Sequence, residues 1–433
     1  MKVRKTLTNE KSSRAVFLAC WLVYAVAYIT RNTYSVTIVM LTGGSLLTET
    51  QAGLISTCYF AAYGAGHLIN GILADRISPR FMMIFGISGT VAANLAMAAA
   101  APDFTSMLLI WTVNGFLEAM LWAPVVAILS GMIAEKKRLQ AMKNMCTSKP
   151  VGIIAAYLLS SACSYFELPF AVIYCVAAAI GAGSCVAFAV IYHNAFSAPD
   201  VKDAEPELEM KTEKGKKSGS LFALLASAGA LIFVIPVIFH GMMNDGLLSW
   251  VPTLIRDSYN TSDGFSTLLT ILLPLANLVG AMIANFTIGR FFKKNHAATG
   301  VLFMALSTVP TVLFLRPSAL PLFAGVVCLA LISMLMAAFN HIFSTLVPVE
   351  FAPYGRASTV SGIINSLIYV GCALSTYVFG AVSEHIGWGA TVTVWLALMA
   401  ASAVILAFCI KPWGRFLSKE NALREDVGGQ PAD

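Results

Sequence analysis

The chain has 433 residues, of which 58% are hydrophobic and only 12% are charged. A soluble domain has about 25% charged residues, so this composition excludes an ordinary soluble protein. The mean hydropathy of +0.77 indicates a helical protein that crosses a membrane several times. The net charge of +6 does not indicate a nucleic-acid partner, because the basic residues follow the membrane topology.

The first apolar run, residues 15–42, is long enough to cross a bilayer, which takes roughly 20 residues in a helix. Arg31 falls near its middle, where an unpaired arginine costs at least roughly 2.5–3.5 kcal/mol. Tyr24, Tyr28 and Arg31 are spaced i, i+4 and i+7, so they share one helix face. This stripe predicts an anion site that lines a polar cavity. The alternative is a structural arginine that pairs with a carboxylate elsewhere in the helix bundle.

Further apolar runs follow at short intervals, separated by polar turns. A longer polar segment, residues 193–219, carries mixed charge and few apolar residues, which is typical of a flexible linker. It divides the chain into an N-terminal six-helix bundle (1–192) and a C-terminal six-helix bundle (220–433). We predict twelve membrane-spanning helices, at residues roughly 15–42, 51–74, 81–101, 105–133, 139–163, 169–192, 220–250, 265–289, 298–315, 318–347, 357–382 and 389–410.

The distribution of the 28 lysines and arginines predicts the orientation. Most of them fall in segments that are cytoplasmic when the N terminus is inside, and only Arg256 and Arg316 fall in outer segments. Since cytoplasmic loops are enriched in basic residues, both termini are predicted to be cytoplasmic, in a multi-pass protein of the cell membrane.

The two halves of the chain repeat weakly. Residues 133–138 leave span 4 in a basic turn and lead into Val151-Gly152 in span 5; residues 351–356 leave span 10 similarly and lead into Val370-Gly371 in span 11. These corresponding exits indicate a duplicated six-helix unit. Paired bundles that enclose a site near the bilayer midplane are typical of transporters.

The turn after span 2 reads Gly71-Ile-Leu-Ala-Asp75-Arg76-Ile-Ser-Pro-Arg80. It resembles the Gly-x-Leu-x-Asp-Arg-x-x-x-Arg signature of the major facilitator superfamily. The resemblance implies an all-α membrane protein with twelve transmembrane helices in two pseudo-symmetric bundles. Asp75, Arg76 and Arg80 would form its gating loop, with the carboxylate at a neighbouring helix end; an ordinary polar turn is the alternative.

A narrower resemblance covers nearly the whole chain. Tyr24-x3-Tyr28-x2-Arg31 is similar to the substrate helix of the organophosphate:phosphate antiporters, the branch that contains the glycerol-3-phosphate and hexose-phosphate transporters. Similar segments recur in spans 2, 4, 7 and 11 and before span 12: Ala62-Tyr-Gly-Ala-Gly-His67, Gly115-Phe-Leu-Glu-Ala-Met-Leu-Trp-Ala-Pro124, Gly246-Leu-Leu-Ser-Trp-Val-Pro252, Tyr369-Val-Gly371 and Gly387-Trp388. The resemblance implies a rocking carrier in which one arginine from each half clamps a phosphate.

This sequence departs from that pattern at the residues that matter most. Arg31 matches the first arginine, but Asn244 stands where the second is expected. His67 replaces a lysine and Glu118 replaces a glutamine, while Lys149 lies beside the position of a histidine. Forked arginine donors suit phosphate, so the loss of one leaves the identity of the anion open.

The predicted site collects these polar and aromatic residues. Lys149 alternatively pairs with Glu118, His67 alternatively makes a structural interhelical hydrogen bond, Trp122 alternatively packs in the bundle, and Asp245 alternatively faces water at the outer end. Glu118 and Asp245 are predicted as coupling residues or counter-ions. The predicted substrate-binding residues are Arg31, Tyr24, Tyr28, Tyr63, His67, Trp122, Lys149, Asn244 and Tyr369.

The function predicted from these features is secondary active transport of a small anionic organic solute by alternating access, by exchange. The rival predictions are a proton-coupled symporter or exporter of another small organic solute, and a transporter-like membrane solute sensor. An enzyme is not expected, because no nucleophile–base pair occurs at a recognisable spacing. No cofactor or metal is expected, since the nine cysteines show no CxxC spacing. The expected partners are the anionic substrate and the lipid bilayer, and the chain is predicted to be a monomer.

Overall fold

The computed structural model describes residues 5–74, 77–197, 201–203, 224–226, 228–292, 295–351 and 357–428. Within these residues the first part of the chain contains β1 (Lys5–Leu7), α1 (Glu10–Gly43), α2 (Glu49–Ala74), α3 (Pro79–Ala100), α4 (Phe104–Glu118), α5 (Trp122–Gly131), α6 (Glu135–Asn144), α7 (Ser148–Tyr165), α8 (Phe170–Ser197) and β2 (Val201–Asp203). The second part contains α9 (Val234–Gly241), α10 (Leu247–Tyr259), α11 (Asp263–Thr270), α12 (Leu272–Arg290), α13 (His296–Leu313), α14 (Leu322–Asn340), α15 (Val347–Val349), α16 (Ala357–His385) and α17 (Trp388–Gly428).

Long apolar helices dominate the described residues. Ten helical stretches are long and apolar enough to cross a membrane. They coincide with ten of the twelve predicted spans, and helices α2 and α7 occupy the positions of the remaining two, spans 2 and 5. A helix satisfies its own backbone hydrogen bonds, which is why such apolar runs fold this way in lipid.

The chain forms two compact units. The first contains residues Met1–Met210, Gly246–Leu275 and Ala373–Gly387, and the second contains Lys211–Asp245, Ala276–Cys372 and Trp388–Asp433. The first unit therefore holds segments from both halves of the sequence. The boundaries predicted for the two six-helix bundles stay a prediction.

Glycines bring the helices of the first unit into close contact. A Cβ on Gly152 of α7 would lie 2.6 Å from the Cβ of Tyr28 on α1, and a Cβ on Gly115 of α4 would collide with the backbone carbonyl of Tyr59 on α2. Small residues let backbones approach within a membrane. These two contacts set α7 against α1 and α4 against α2, at the levels of Tyr28 and Tyr59.

Predicted spans 4 and 5 are each interrupted. In span 4, α4 ends at Glu118 and α5 begins at Trp122, where the Leu121 amide donates to the Glu118 carbonyl at 3.1 Å. Pro124 lacks an amide hydrogen, which removes a helical bond just after the break. In span 5 a 3₁₀ turn separates α6 from α7. Lys149 is therefore the second residue of α7, whereas an uninterrupted helix places it deep within span 5.

The predicted linker, residues 193–219, is partly structured. Helix α8 continues through Ser197, and β2 pairs antiparallel with β1, with Lys5 opposite Asp203. The Leu7 amide also donates to the Met132 carbonyl at 2.9 Å, and Leu7 is buried. Residues 201–203 are thus tied to the N-terminal segment, which differs from a linker that is unstructured from residue 193.

The second unit is helical as well. Within it α13 packs against α14 and α17, and α9 packs against α17. Two π-helical turns follow α9 and α14, at Met242–Gly246 and His341–Leu346. Such turns are rare in proteins, and those that do occur are often found at functional sites.

Candidate functional site

Arg31 is paired with Glu118 inside the first unit. The Arg31 Nε donates to Glu118 Oε1 at 2.9 Å, and the two side chains are 10% and 1% exposed. Helix α1 brings the guanidinium, while the last residue of α4 brings the carboxylate. The structure therefore contains the ion pair that was the alternative interpretation of Arg31. The pair and an anion site are compatible, because a guanidinium has five N–H donors and this contact uses the Nε donor.

Tyr59 holds the other oxygen of the carboxylate. Its hydroxyl donates to Glu118 Oε2 at 2.6 Å, and the whole side chain is buried. Tyr59 was not among the predicted site residues. The available signal was its position one helical turn before Tyr63 and two before His67, on the same face of α2.

Aromatic rings surround the guanidinium. The Arg31 Cζ lies 4.2 Å from the centroid of the Tyr63 ring and 4.6 Å from that of Tyr28. A cation over the face of an aromatic ring is attracted by the ring quadrupole, more strongly where water is excluded. The tyrosines thus stabilise a charge that the bilayer disfavours.

The remaining predicted residues of the N-terminal half extend this group. The Lys149 Nζ lies 5.6 Å from the centroid of the Tyr28 ring, so a second cation shares that tyrosine. The rings of Tyr24 and Trp122 are 4.9 Å apart, and those of Tyr63 and His67 are 4.4 Å apart. The structure connects eight predicted residues in one group: Tyr24, Tyr28, Arg31, Tyr63, His67, Glu118, Trp122 and Lys149.

Three predicted residues lie outside this group, on other elements. Asn244 and Asp245 belong to the π-helical turn Met242–Gly246, and Tyr369 lies on α16. The Cys372 thiol donates to Asp245 Oδ2 at 4.0 Å, and both belong to the second unit. Asp245 is only half-buried, which fits its alternative as a residue near water.

The predicted gating loop is described only in part. Asp75 and Arg76 lie outside the described residues. Arg80 is in the first turn of α3, with its Cζ 5.9 Å from the centroid of the Tyr192 ring. The Ser78 hydroxyl accepts from the Phe81 amide at 3.3 Å and caps the start of α3. The gating role of the loop stays a prediction.

A second polar cluster lies at the C-terminal end of α1. The distribution of basic residues predicts that this end of the helix faces outward. The Arg256 guanidinium, on α10, donates to the Val39 carbonyl and, at 3.1 Å, to Thr42 Oγ1. Its Nε pairs with Asp257 Oδ1 at 2.6 Å, and its NH1 lies 4.0 Å from Asp263 Oδ1. Because α1 has no basic residue in its last turn, Arg256 supplies the positive charge that a helix C terminus favours.

The start of α2 and the end of α16 also meet in this region. The Thr50 amide donates to Glu384 Oε2 at 2.7 Å, so a carboxylate from α16 complements the N terminus of α2. The Ser383 hydroxyl donates to Glu49, just before the apolar span of α2. The ends of α1 and α2 are therefore each held by a charged side chain from the later part of the chain.

Comparison with known proteins identifies the family. The sequence matches the model of the Major Facilitator Superfamily over residues 20–376. The chain belongs to the Major Facilitator Superfamily. The predicted fold class and family resemblance are confirmed, and this membrane-embedded superfamily member is a secondary transporter and not an enzyme.

Relatives of this superfamily member include proteins from the predicted branch. It is 22% identical over 424 residues to the glycerol-3-phosphate transporter of Bacillus subtilis, with 92% of this chain and 91% of the relative covered. It is also 22% identical over 419 residues to the membrane sensor protein UhpC of Salmonella typhimurium, at the same coverages of 92% and 91%. Among solved structures, a bacterial homolog of the human lysosomal transporter Spinster matches with a TM-score of 0.72 and 17% identity over 95% of this chain and 99% of that chain.

Proposed function

We propose that this transporter carries small organic anions, phosphate esters or carboxylates, by exchange through alternating access. The observation that carries the proposal is the aromatic group of the first unit, in which Arg31 and Lys149 both lie near the Tyr28 ring. Two cations and one carboxylate leave this group with a net positive charge. A buried positive charge attracts an anion more strongly than an exposed one, because the surroundings screen it less.

The similarity to transporters of phosphate esters supports the same substrate class. Relatives of 22% and 21% identity are named a glycerol-3-phosphate transporter, a phosphoglycerate transporter protein and a probable hexose phosphate transport protein. Asn244 has no charge, so the position of the expected second arginine offers amide hydrogen bonds rather than a second guanidinium. This favours smaller or less highly charged anions than a two-arginine clamp accepts.

The test is a solute screen in proteoliposomes that contain the purified transporter and internal phosphate, with pH and voltage clamped separately. We expect saturable counterflow of at least one of glycerol 3-phosphate, phosphoglycerate, hexose phosphate or a small carboxylate. Arg31→Lys keeps the charge but loses the forked donors, so it should lose most of the binding. Arg290→Lys, at an exposed position, is the matched control. Transport restricted to neutral or cationic solutes contradicts the proposal.

Measurements on a Glu118 variant distinguish exchange from proton coupling. If this carboxylate stays paired with Arg31 throughout the cycle, wild-type protein should show counterflow without uphill uptake driven by a pH gradient. The Glu118→Gln variant should then also retain counterflow. Gradient-driven uptake in the wild type that disappears in this variant, with counterflow intact, identifies a proton symporter instead.

A membrane solute sensor is the second candidate function, and one observation favours it. A relative that matches 92% of this chain is named a membrane sensor protein. Binding of a phosphate ester to the purified protein without any flux in proteoliposomes supports this candidate, since a sensor needs the site but not the transport cycle.

A further inference from the structure

The Arg31–Glu118 pair raises a question about the charge of the ligand. Glu118 is 1% exposed while Arg31 is 10% exposed, so the carboxylate is more deeply buried than the guanidinium it contacts. A solute that reaches Arg31 meets the cation first, and Glu118 acts on it through the guanidinium. Glu118 is thus a positioning residue and a fixed counter-ion rather than a ligand of the solute.

Two hydrogen bonds keep the carboxylate in this role. Arg31 Nε donates to one oxygen at 2.9 Å, and the Tyr59 hydroxyl donates to the other at 2.6 Å. Both donors favour the ionised form, because charge-assisted hydrogen bonds are short and strong. Tyr59 cannot turn away easily, since its ring stacks on Trp111 at 5.7 Å and on Tyr63 at 5.9 Å.

The net charge of the group around Arg31 then limits the charge of the anion that it can bind. Arg31 and Lys149 contribute two positive charges and Glu118 contributes one negative charge. A monoanion brings the group to neutrality, whereas a dianion leaves an excess negative charge inside the membrane. Uncompensated charge is costly there, so the two kinds of ligand differ in binding even when their shapes match.

We propose that Glu118, held by Tyr59, sets the charge selectivity of the transporter, so that a monoanionic head group is preferred over a dianionic one of the same shape. This inference rests on the proposed function, because it requires an anion at Arg31. It names the substrate class more narrowly: monoanions such as carboxylates, phosphodiesters or singly protonated phosphate esters.

The test uses two probes of the same shape and different charge, methyl sulfate and methyl phosphate. Sulfate esters are monoanions, and a phosphate monoester is mainly a dianion at pH 8.0, since its second pKa is about 6. Binding to the purified protein is measured by calorimetry. The wild type should bind methyl sulfate roughly ten- to hundredfold more tightly, the effect of one unit charge several ångströms away in a medium of effective dielectric constant about 20.

Removal of the carboxylate charge should reverse this order. Glu118→Gln removes the negative charge that faces Arg31, so methyl phosphate should become the tighter ligand. Tyr59→Phe removes one hydrogen bond and no charge, so it should keep the preference for methyl sulfate. Glu167→Gln, the same change at an exposed position, should leave both affinities unchanged.

A measurement on the wild type alone covers the case in which Glu118→Gln does not fold. Methyl phosphate should bind more tightly at pH 5.5, as a monoanion, than at pH 8.0, when each value is divided by that of methyl sulfate at the same pH. The division corrects for any change in the charge of the protein between the two pH values, because methyl sulfate keeps its own charge. A wild type that prefers methyl phosphate at pH 8.0, or an unchanged order in Glu118→Gln, overturns the inference while anion binding stands. If neither probe binds and no anion shows counterflow, the proposed function fails, and the inference fails with it.

Discussion

Arg31 and Arg256 are two arginines of the same compact unit, and they have different surroundings. Arg31 contacts one buried carboxylate and the faces of tyrosine rings, whereas Arg256 contacts a helix end and two carboxylates that are 28% and 30% exposed. Breaking a buried pair leaves a charge that neither water nor lipid can solvate, while partly exposed pairs are worth about 0–1 kcal/mol. The difference indicates that Arg31 depends on one buried partner carboxylate, whereas Arg256 holds helix ends together.

The largest expected effect concerns the side of the membrane on which the Arg256 cluster lies. In a background without cysteines, Leu46→Cys should react with an impermeant thiol reagent added from outside, because residue 46 lies in the predicted outer loop. Asn144→Cys, on α6 near the predicted inner side, should react only after the membrane is opened. The opposite labelling pattern shows that the predicted orientation is inverted and that Arg256 faces the cytoplasm.

The second largest effect concerns stability, because replacing Arg31 should destabilise the protein more than replacing Arg256. Arg31→Leu leaves Glu118 buried and unpaired, so we expect a loss of about 3–5 kcal/mol in thermal unfolding of the protein in detergent. The double variant Arg31→Leu with Glu118→Leu should regain most of the loss, since neither buried charge remains. A single variant as stable as the wild type shows that water reaches Glu118.

Arg256→Ala should have a smaller effect, a loss of about 1 kcal/mol in the same unfolding measurement. The loss should shrink at high salt, because partly exposed charges are screened. Arg415→Ala, an exposed arginine on α17, is the control. If Arg256→Ala costs as much as Arg31→Leu, the cluster at the end of α1 is a buried network and the contrast between the two arginines disappears.

The smallest expected effect is the pH dependence of the contact at Glu49. The pKa of this carboxyl is raised from its usual 4.5 to about 7, chiefly by burial and also by Asp257, although the Ser383 hydrogen bond and Arg256 act to lower it. A carboxyl whose pKa is higher in the folded state binds more protons there, so stability should fall as the pH rises from about 4.5 through 7. Glu384 also lies nearby, through Thr50.

Glu49→Gln should remove this part of the pH dependence. The difference between the thermal unfolding midpoints at pH 5 and pH 8 should then change by roughly 1–2 °C. Ser383→Ala provides a second readout, because it removes a hydrogen bond that favours the ionised carboxyl. An identical pH slope in the wild type and in Glu49→Gln assigns the titration to another group.

Much of the site on the first unit was predictable from spacing. Tyr24, Tyr28 and Arg31 lie on one face because helix geometry puts residues i, i+4 and i+7 together. A charge within an apolar span also indicated a partner in advance. The identity of that partner was not predictable, because Glu118 is 87 residues away along the chain and Lys149 was an equally charged competitor for it.

Breaks in regular structure were harder to predict than the helices themselves. Span 4 was predicted as one continuous helix over residues 105–133, but α4 ends at Glu118 and Trp122 begins α5. The same assumption placed Lys149 within a span rather than in the first turn of α7. Hydropathy averages over about 19 residues, so it registers the apolar run and not the single turn that interrupts it.

The sequence by itself determined that this protein crosses a membrane with apolar helices, that one face of α1 is polar, and that its pattern is that of the Major Facilitator Superfamily. The first two properties follow from local composition and periodicity, and the third from motifs that resemble those of the superfamily. Only the tertiary structure decided that Glu118 rather than another group neutralises Arg31, that Tyr59 completes the pair, and that Arg256 caps α1. Such contacts depend on how closely helices approach, and here glycines such as Gly115 and Gly152 set that approach through backbone contacts between residues distant in the chain.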